Sequence, residues 1–164
     1  MIDTAPDAAR GESRQRDIER LIYTASLRLD AKEFKGWLDL CAPDFTYTIR
    51  TFSHEIRKHM VWLEHDYDGM ATLIRQLPRH NTDQSNFTRN TTVYTVAAGP
   101  ADGIAEVVSA VAIYRTTLDG GDTKLFAIGR YHDTVALGER GWRFGARTLQ
   151  LETRNLGIGT HYPL

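Results

Sequence analysis

Four long β-rich segments in the second half of the chain constrain its fold more than any other feature. Gly-Pro, Gly-Gly and a turn from Gly138 to Gly141 separate them, as is typical of antiparallel hairpins. A twelve-residue strand at ~3.4 Å per residue spans about 40 Å, which is too long for a flat sheet in a small domain. The sheet should therefore curl strongly, with Gly129 and Gly145 placed where a bend or bulge needs them. The segments cover residues 86–97, 104–117, 124–137 and 142–153.

Apolar residues recur with helical spacing at three places ahead of these segments. The first stripe predicts a helix after about residue 12. Asp30 and Glu33 form a capping-box-like start for a second helix, which Pro43 stops. Asp68 is expected to cap the third helix and Pro78 to end it. The three stripes consist of Ile18, Leu21, Ile22, Ala25 and Leu29, then Phe34, Trp37, Leu38 and Cys41, then Met70, Leu73, Ile74 and Leu77.

These elements predict an α+β fold. Asp44–Thr51 adds a strand between the second and third helices, because it alternates β-branched and aromatic residues. Three N-terminal helices should cover the concave face of a strongly curved, largely antiparallel sheet, which gives the domain the shape of a cone. Residues 1–12 lack periodicity and are expected to form a flexible arm, and residues 13–164 to form one domain.

Charge and hydropathy exclude several classes of partner. The 20 Lys and Arg residues balance 21 Asp and Glu residues, so the chain as a whole offers no electrostatic attraction to nucleic acid or to an anionic membrane. No apolar run approaches the ~20 residues that span a bilayer, and the polar opening of the sequence has no signal-peptide core. We therefore expect a cytoplasmic protein.

The inside of the predicted cone is the natural place for a ligand or for acid–base chemistry. His132 and Asp133 cannot pair there, because neighbours on a strand point to opposite faces, although either could pair with a residue on another strand. Strand residues satisfied by their neighbours or by water are the competing interpretation. The candidates to line the cone are Tyr47, Tyr94, Tyr114, Tyr131, His132 and Asp133.

Metal chemistry within this chain finds little support. Cys41 is the only cysteine, which rules out an iron–sulfur site built from this chain, and its place on an apolar stripe favours a buried, inert thiol. His54 and His59, followed by His65 and Asp66, resemble a two-histidine, one-carboxylate iron site. The nearby cationic side chains oppose the capture of a cation, so a solvated or interfacial segment is the favoured interpretation.

A cluster of Met, Trp, Leu and Tyr in residues 60–67 lies outside any clear periodic element. Such residues are enriched at the centres of protein interfaces, so the segment is either a docking surface or a loop that folds back on its own core. The C-terminal strand alternates arginine with apolar residues and should face solvent or a partner. The expected subunit contacts are Met60, Trp62, Leu63, His65, Asp66, Tyr67, Arg147 and Arg154.

The order of these motifs resembles the small (β) subunit of Rieske-type ring-hydroxylating oxygenases over about residues 15–156. Leu29-Asp30, Phe34, Trp37-Leu38 and Asp44 to Tyr47 match the opening pattern of that family, and residues 66–73 match its middle pattern. The ending pattern is matched by Phe126, Gly129-Arg130, Asp133, Gly141-Trp142 and Arg147. The segment EIRKHMVWLEHDYDG is more similar to the branch of the family found with methanesulfonate monooxygenase hydroxylase than to the subunits that serve aromatic substrates.

This resemblance implies a fold shared with scytalone dehydratase and ketosteroid isomerase, and a mainly structural role. The partner would be a large (α) subunit that holds both a Rieske 2Fe-2S cluster and a mononuclear iron, with no cofactor in this chain. The assembly would be a hetero-hexamer containing a trimer of this chain, and its substrate an aromatic ring or a small sulfonate. Two alternatives stay open: a stand-alone dehydratase, cyclase or isomerase using Tyr47, His132 and Asp133, and a small-molecule binding domain.

Overall fold

Three helices and six strands make up the part of the chain that the structure describes. The structure is a computed structural model, and it describes residues 5–157 and 159–164. The helices are α1 (Ala5–Asp30), α2 (Phe34–Leu38) and α3 (Tyr67–His80). The strands are β1 (Cys41–Ser53), β2 (Lys58–Asp66), β3 (Asn86–Ala98), β4 (Ile104–Thr116), β5 (Thr123–Gly138) and β6 (Gly141–Leu151).

The six strands form one mixed sheet in the order β2-β1-β6-β5-β4-β3. Strands β3 to β6 follow one another as antiparallel hairpins, and β1 and β2 form a further antiparallel pair. Strand β1 joins the two groups by pairing in parallel with β6. The fold class predicted from the sequence is therefore confirmed, and the four predicted C-terminal strands agree with the observed ones to within two residues at each end.

Two mid-strand glycines have different structural reasons. A Cβ atom on Gly129 would come within 2.4 Å of the main-chain oxygen of Gln150 on the neighbouring strand, so only glycine fits at this approach. Gly145 is the extra residue of a bulge, because Thr134 pairs with Ala146 whereas Val135 pairs with Phe144. The bulge at Gly145 agrees with the sequence prediction, whereas a bend at Gly129 stays a prediction.

The hydrophobic core lies between the concave face of the sheet and the helices. The first apolar stripe of α1 is buried as predicted, with Ile18, Ile22 and Ala25 fully covered. Trp37 of α2 is also fully buried and meets the rings of Phe45 and Tyr47 edge-on at 5.9 and 5.8 Å. Helix α2 thus brings a large aromatic side chain into the core beside strand β1.

The ends of the helices differ from the predicted ones. Helix α2 stops at Leu38, so Cys41 begins strand β1, where its thiol is buried as expected. Asp30 caps no helix, because both of its carboxylate oxygens accept hydrogen bonds from Arg89 on β3. Helix α3 is capped by Asp66, which accepts from the Gly69 amide at 2.8 Å, and not by Asp68.

Helix α3 also continues for two residues after Pro78, whereas the sequence predicted that the helix would end at this proline. A proline near a helix C-terminus removes only one backbone donor, so the last residues can still close the final turn. The helix α1 begins at Ala5 and therefore overlaps the predicted arm over residues 5–12, whereas residues 1–4 lie outside the described residues. Whether the arm moves independently of the domain stays a prediction.

Residues 60–67 show the largest difference between the predicted and observed structures. Residues 60–66 belong to strand β2, which pairs with β1 at the edge of the sheet, and do not form a loop. Burial alternates only weakly along β2, because this edge strand carries polar residues on both faces. The sequence of the strand therefore shows no alternation of apolar and polar residues that would reveal it. In the described part of the chain no helix is both long and apolar enough to cross a membrane.

Candidate functional site

The interior of the cone is the candidate site, and strand alternation decides which side chains reach it. Tyr131 and Asp133 on β5 point inward and are buried, whereas His132 between them points outward and is exposed. Tyr47 on β1 is fully buried. Tyr94 is 59% exposed on β3. The structure therefore brings together three of the six predicted lining residues and separates His132 from Tyr47 and Asp133.

Asp133 is held by Arg147 of the adjacent strand β6. The Nε and Nη2 atoms of Arg147 each donate a hydrogen bond to one carboxylate oxygen of Asp133, both at 2.8 Å. The guanidinium also lies over the ring of Tyr131, 3.9 Å from its centre, and 4.5 Å from the ring centre of Phe144. Such a fork-shaped pair between aromatic rings fixes both the position and the orientation of the carboxylate.

Burial and the contact between the two side chains change the pKa values of Asp133 and Arg147. Burial raises the pKa of Asp133, and the positive charge and hydrogen bonds of Arg147 offset part of that rise. Burial also disfavours a charged guanidinium, yet the pKa of Arg147 is raised because the Asp133 carboxylate lies against it. Each oxygen of Asp133 accepts one hydrogen bond from Arg147 and the residue is only 3% exposed, so the carboxylate serves as the partner of a buried guanidinium and has little access to a ligand.

Tyr47 is held by the last residues of the sequence. Its hydroxyl donates to the main-chain oxygen of Leu164 at 2.7 Å and accepts from the Leu164 amide at 2.9 Å. Burial raises the pKa of Tyr47, so the hydroxyl stays protonated at neutral pH. Tyr162, Pro163 and Leu164 are all buried, and we call these residues 162–164 the C-terminal plug.

The C-terminal plug is fixed at two further points. Arg89 on β3 donates to the main-chain oxygen of Pro163 at 2.6 Å and to Asp30 at 2.7 Å, so it ties the plug to α1. The ring of Tyr162 stacks on Phe34 with centroids 5.2 Å apart. Neither Arg89 nor the plug was predicted from the sequence. No local signal points to them, since these contacts join residues more than 50 positions apart.

The candidate metal ligands do not converge in the described residues. His54 lies in the turn after β1 and His59 on β2, and both pack edge-on against Phe52, with ring centroids 5.0 and 5.3 Å away. Within residues 5–157 and 159–164, no three His, Cys, Asp or Glu side chains lie close enough to hold a metal ion. Burial raises the pKa of Cys41 to about 12, which keeps its thiol protonated and unreactive.

The predicted subunit contacts divide into exposed and buried residues. Trp62 is 48% exposed, and Arg154 also lies at the surface. The guanidinium of Arg154 donates a hydrogen bond to Glu55 and lowers the pKa of that carboxyl to about 2. Arg147 was expected to face solvent or a partner, and this prediction is wrong. Its partner Asp133 lies on the inner face, so Arg147 is only 1% exposed. The half-buried members of the set are Met60, Leu63, His65 and Tyr67, and Asp66 is exposed at its cap position.

Sequence comparisons match this chain to one family. The family model described as "Ring hydroxylating beta subunit" matches residues 25–157. The β subunit of methanesulfonate monooxygenase hydroxylase from Methylosulfonomonas methylovora is 36% identical over 165 residues, covering 96% of this chain and 91% of the relative. The β subunit of 2-aminobenzenesulfonate 2,3-dioxygenase from an Alcaligenes species is 35% identical over 147 residues, covering 90% of this chain and 97% of the relative.

Solved structures show the same fold at low sequence identity. A chain of naphthalene 1,2-dioxygenase superposes with a TM-score of 0.72 at 17% identity, covering 99% of this chain and 97% of that one. A ketosteroid isomerase-like protein from Erwinia carotovora superposes with a TM-score of 0.58 at 13% identity, covering 83% and 94%. The cone therefore occurs in proteins with different activities, and its shape alone does not decide between them.

Proposed function

Because this chain belongs to the ring hydroxylating beta subunit family, we propose that it is the non-catalytic small subunit of an oxygenase hydroxylase component. Its work is to stabilise an assembly with a large α subunit that carries out the oxygenation. The observation that carries this proposal is the closed interior of the cone. There Arg147 occupies both oxygens of Asp133, and the C-terminal plug occupies the Tyr47 hydroxyl.

The metal centres are proposed to lie in the large subunit. A Rieske cluster is held by two cysteines and two histidines, and this chain has a single cysteine whose thiol is buried. We therefore assign the Rieske cluster and the mononuclear iron to the partner. The proposed assembly contains three copies of each subunit and resides in the cytoplasm. Its substrate is an aromatic ring or a small sulfonate, in line with the compounds that appear in the names of the two relatives.

Strand β2 is proposed as the surface that meets another subunit. It lies at one edge of the sheet, where the exposed fractions of Val61 and Trp62 are 56% and 48%. The register of β1 and β2 shifts between Ile49 and Arg50, which leaves Trp62 as the extra residue of a bulge. A bulge turns a side chain out of the sheet and discourages the pairing of a further strand. Trp62 is thus presented as an aromatic anchor of the kind that dominates interface energetics.

Replacing Trp62 with alanine is expected to weaken binding of the large subunit by about 30-fold, since a buried aromatic anchor typically contributes ~2 kcal/mol or more. The measurement is the dissociation constant of the two purified subunits, together with the yield of complex after co-expression. Tyr94→Ala is the matched control, because Tyr94 is also an exposed aromatic residue at a bulge, on the opposite edge strand β3. Equal binding by the two variants and the wild type would refute the assignment of β2.

The acid–base alternative makes a different prediction for His132. Because His132 points away from the cone, His132→Ala is expected to change the free energy of unfolding by less than ~0.5 kcal/mol. Turnover by the assembled component should also be unchanged. Turnover of a substrate by the isolated chain, abolished by His132→Ala, would instead support a stand-alone enzyme. Steady-state assays with and without the large subunit distinguish the two outcomes.

A further inference from the structure

A groove between helix α1 and the β5–β6 hairpin lies apart from the cone interior and from strand β2. Its volume is about 560 Å³, which is within the range of small-molecule sites in proteins. One wall is the stretch of α1 from Arg10 to Thr24, and the other is formed by the hairpin and Leu40. Neither the candidate residues of the cone nor the predicted subunit contacts line this groove.

The polar side of the groove is strongly cationic. Arg10, Arg14 and Arg20 contribute three guanidinium groups, against the single carboxylate of Asp17. These four residues are three or four positions apart along α1, so they lie on one face of the helix. The groove therefore carries a local charge of about +2 on a chain whose overall charge is −1. An anion would be attracted to this face of the helix.

One of these guanidinium groups is already held in place. Nη2 of Arg14 donates to the main-chain oxygen of Ile104 at 3.1 Å, and the guanidinium lies 5.4 Å from the centre of the Trp142 ring. Nε of Arg14 is buried and has no acceptor among the residues that the structure describes. A donor that is fixed before binding loses little conformational freedom when an anion arrives, so Arg14 is well prepared to bind one.

The opposite side of the groove is apolar. Leu137 is 56% exposed there and pairs across the hairpin with Trp142, so an aliphatic and an aromatic side chain lie side by side. An inorganic anion would satisfy the arginines but leave this wall in contact with water. A ligand that matches the groove needs an apolar body as well as an anionic head. The apolar lining consists of Leu40, Leu137 and Trp142 on this side, together with Leu21 of α1.

We propose that the groove between α1 and the β5–β6 hairpin binds a small organic anion, an aromatic or aliphatic carboxylate or sulfonate. The head would be bound by Arg14 and Arg20, and the body would lie against Trp142 and Leu137. This site does not depend on the function proposed above, because all of its residues belong to this chain. It adds a ligand site to a subunit whose cone is closed.

Calorimetric titration with benzoate tests the proposal on the full chain and, separately, on the assembled component. Benzamide, which has the same ring without the charge, should bind about tenfold more weakly or worse. Acetate, which has the same head without the ring, should also bind more weakly than benzoate. Raising the salt concentration should reduce the affinity for benzoate, since ions screen the attraction of the arginines.

Substitutions on α1 locate the site. Arg20→Gln and Arg14→Gln are each expected to weaken benzoate binding by about tenfold. Arg16→Gln is the matched control, because Arg16 lies on the same helix, pairs with Glu12 and does not line the groove. Its affinity should stay within twofold of the wild type. If Arg14→Gln fails to fold, the exposed position of Arg20 keeps the test decisive.

Several outcomes would overturn the proposal. They are the absence of benzoate binding, equal binding of benzamide, and equal losses in Arg16→Gln and Arg20→Gln. Binding that the isolated chain shows and the assembled component lacks would also overturn it, because the groove would then be a surface covered by the large subunit. Since assembly is measured independently, a failure here leaves the proposed structural function standing.

Discussion

Replacing Arg147 with methionine is expected to lower the free energy of unfolding by about 3–5 kcal/mol, the range found when one partner of a buried ion pair is removed. Asp133 is only 3% exposed and accepts both of its hydrogen bonds from Arg147. In the variant its carboxylate would lie uncompensated in the core. It would have to take up a proton or draw water inside, and both cost folding free energy.

Denaturant unfolding followed by fluorescence or circular dichroism measures this loss. Arg154→Met is the matched control, because Arg154 also pairs with a carboxylate, Glu55, but at the surface, and should change stability by less than ~1 kcal/mol. The double variant Asp133→Leu with Arg147→Met should recover most of the loss, since it leaves no buried charge. If Arg147→Met and Arg154→Met were equally stable, the pair would not have the buried geometry described above.

The sheet could be predicted from the sequence to a large extent, because local chemistry marks its elements. Alternating β-branched residues define β3 to β6, and turn residues with glycine separate them. The mid-strand position of Gly129 predicted a bend, and its contact with Gln150 shows why only a residue without a side chain fits there. Each of these features depends on neighbouring residues along the chain, which the sequence displays directly.

Strand β2 and the identity of the residue that pairs with Asp133 could not be predicted, for two different reasons. Strand β2 is an edge strand with polar residues on both sides, so it lacks the two-residue period that marks a half-buried strand. Arg147 alternates with apolar residues in a pattern typical of a solvent-facing side chain. Its burial depends on a carboxylate from another strand, and a single sequence does not show which strands pair.

The C-terminal plug is a part of the candidate site that the sequence did not predict at all. It closes the cone through contacts with α2, β1 and β3, and these contacts exist only once the whole domain has folded. The ring of Tyr162 stacks on Phe34, meets Phe87 edge-on at 5.8 Å and lies under the ammonium group of Lys32 at 5.5 Å. In a ligand-binding protein of this fold, the same space would be available to a small molecule.

Tyr162→Ala is therefore expected to destabilise the domain by about 3 kcal/mol, the lower end of the range for removing a buried aromatic ring, because the plug keeps its hydrogen bonds at Pro163 and Leu164. Tyr47→Phe should cost about 1–2 kcal/mol, since it removes the hydroxyl that binds Leu164 twice. Denaturant unfolding measures both changes, with the exposed Tyr94→Ala as the control that should lose less than ~0.5 kcal/mol. Equal stability of Tyr162→Ala and Tyr94→Ala would show that the plug does not close the cone in solution, and would reopen the acid–base alternative.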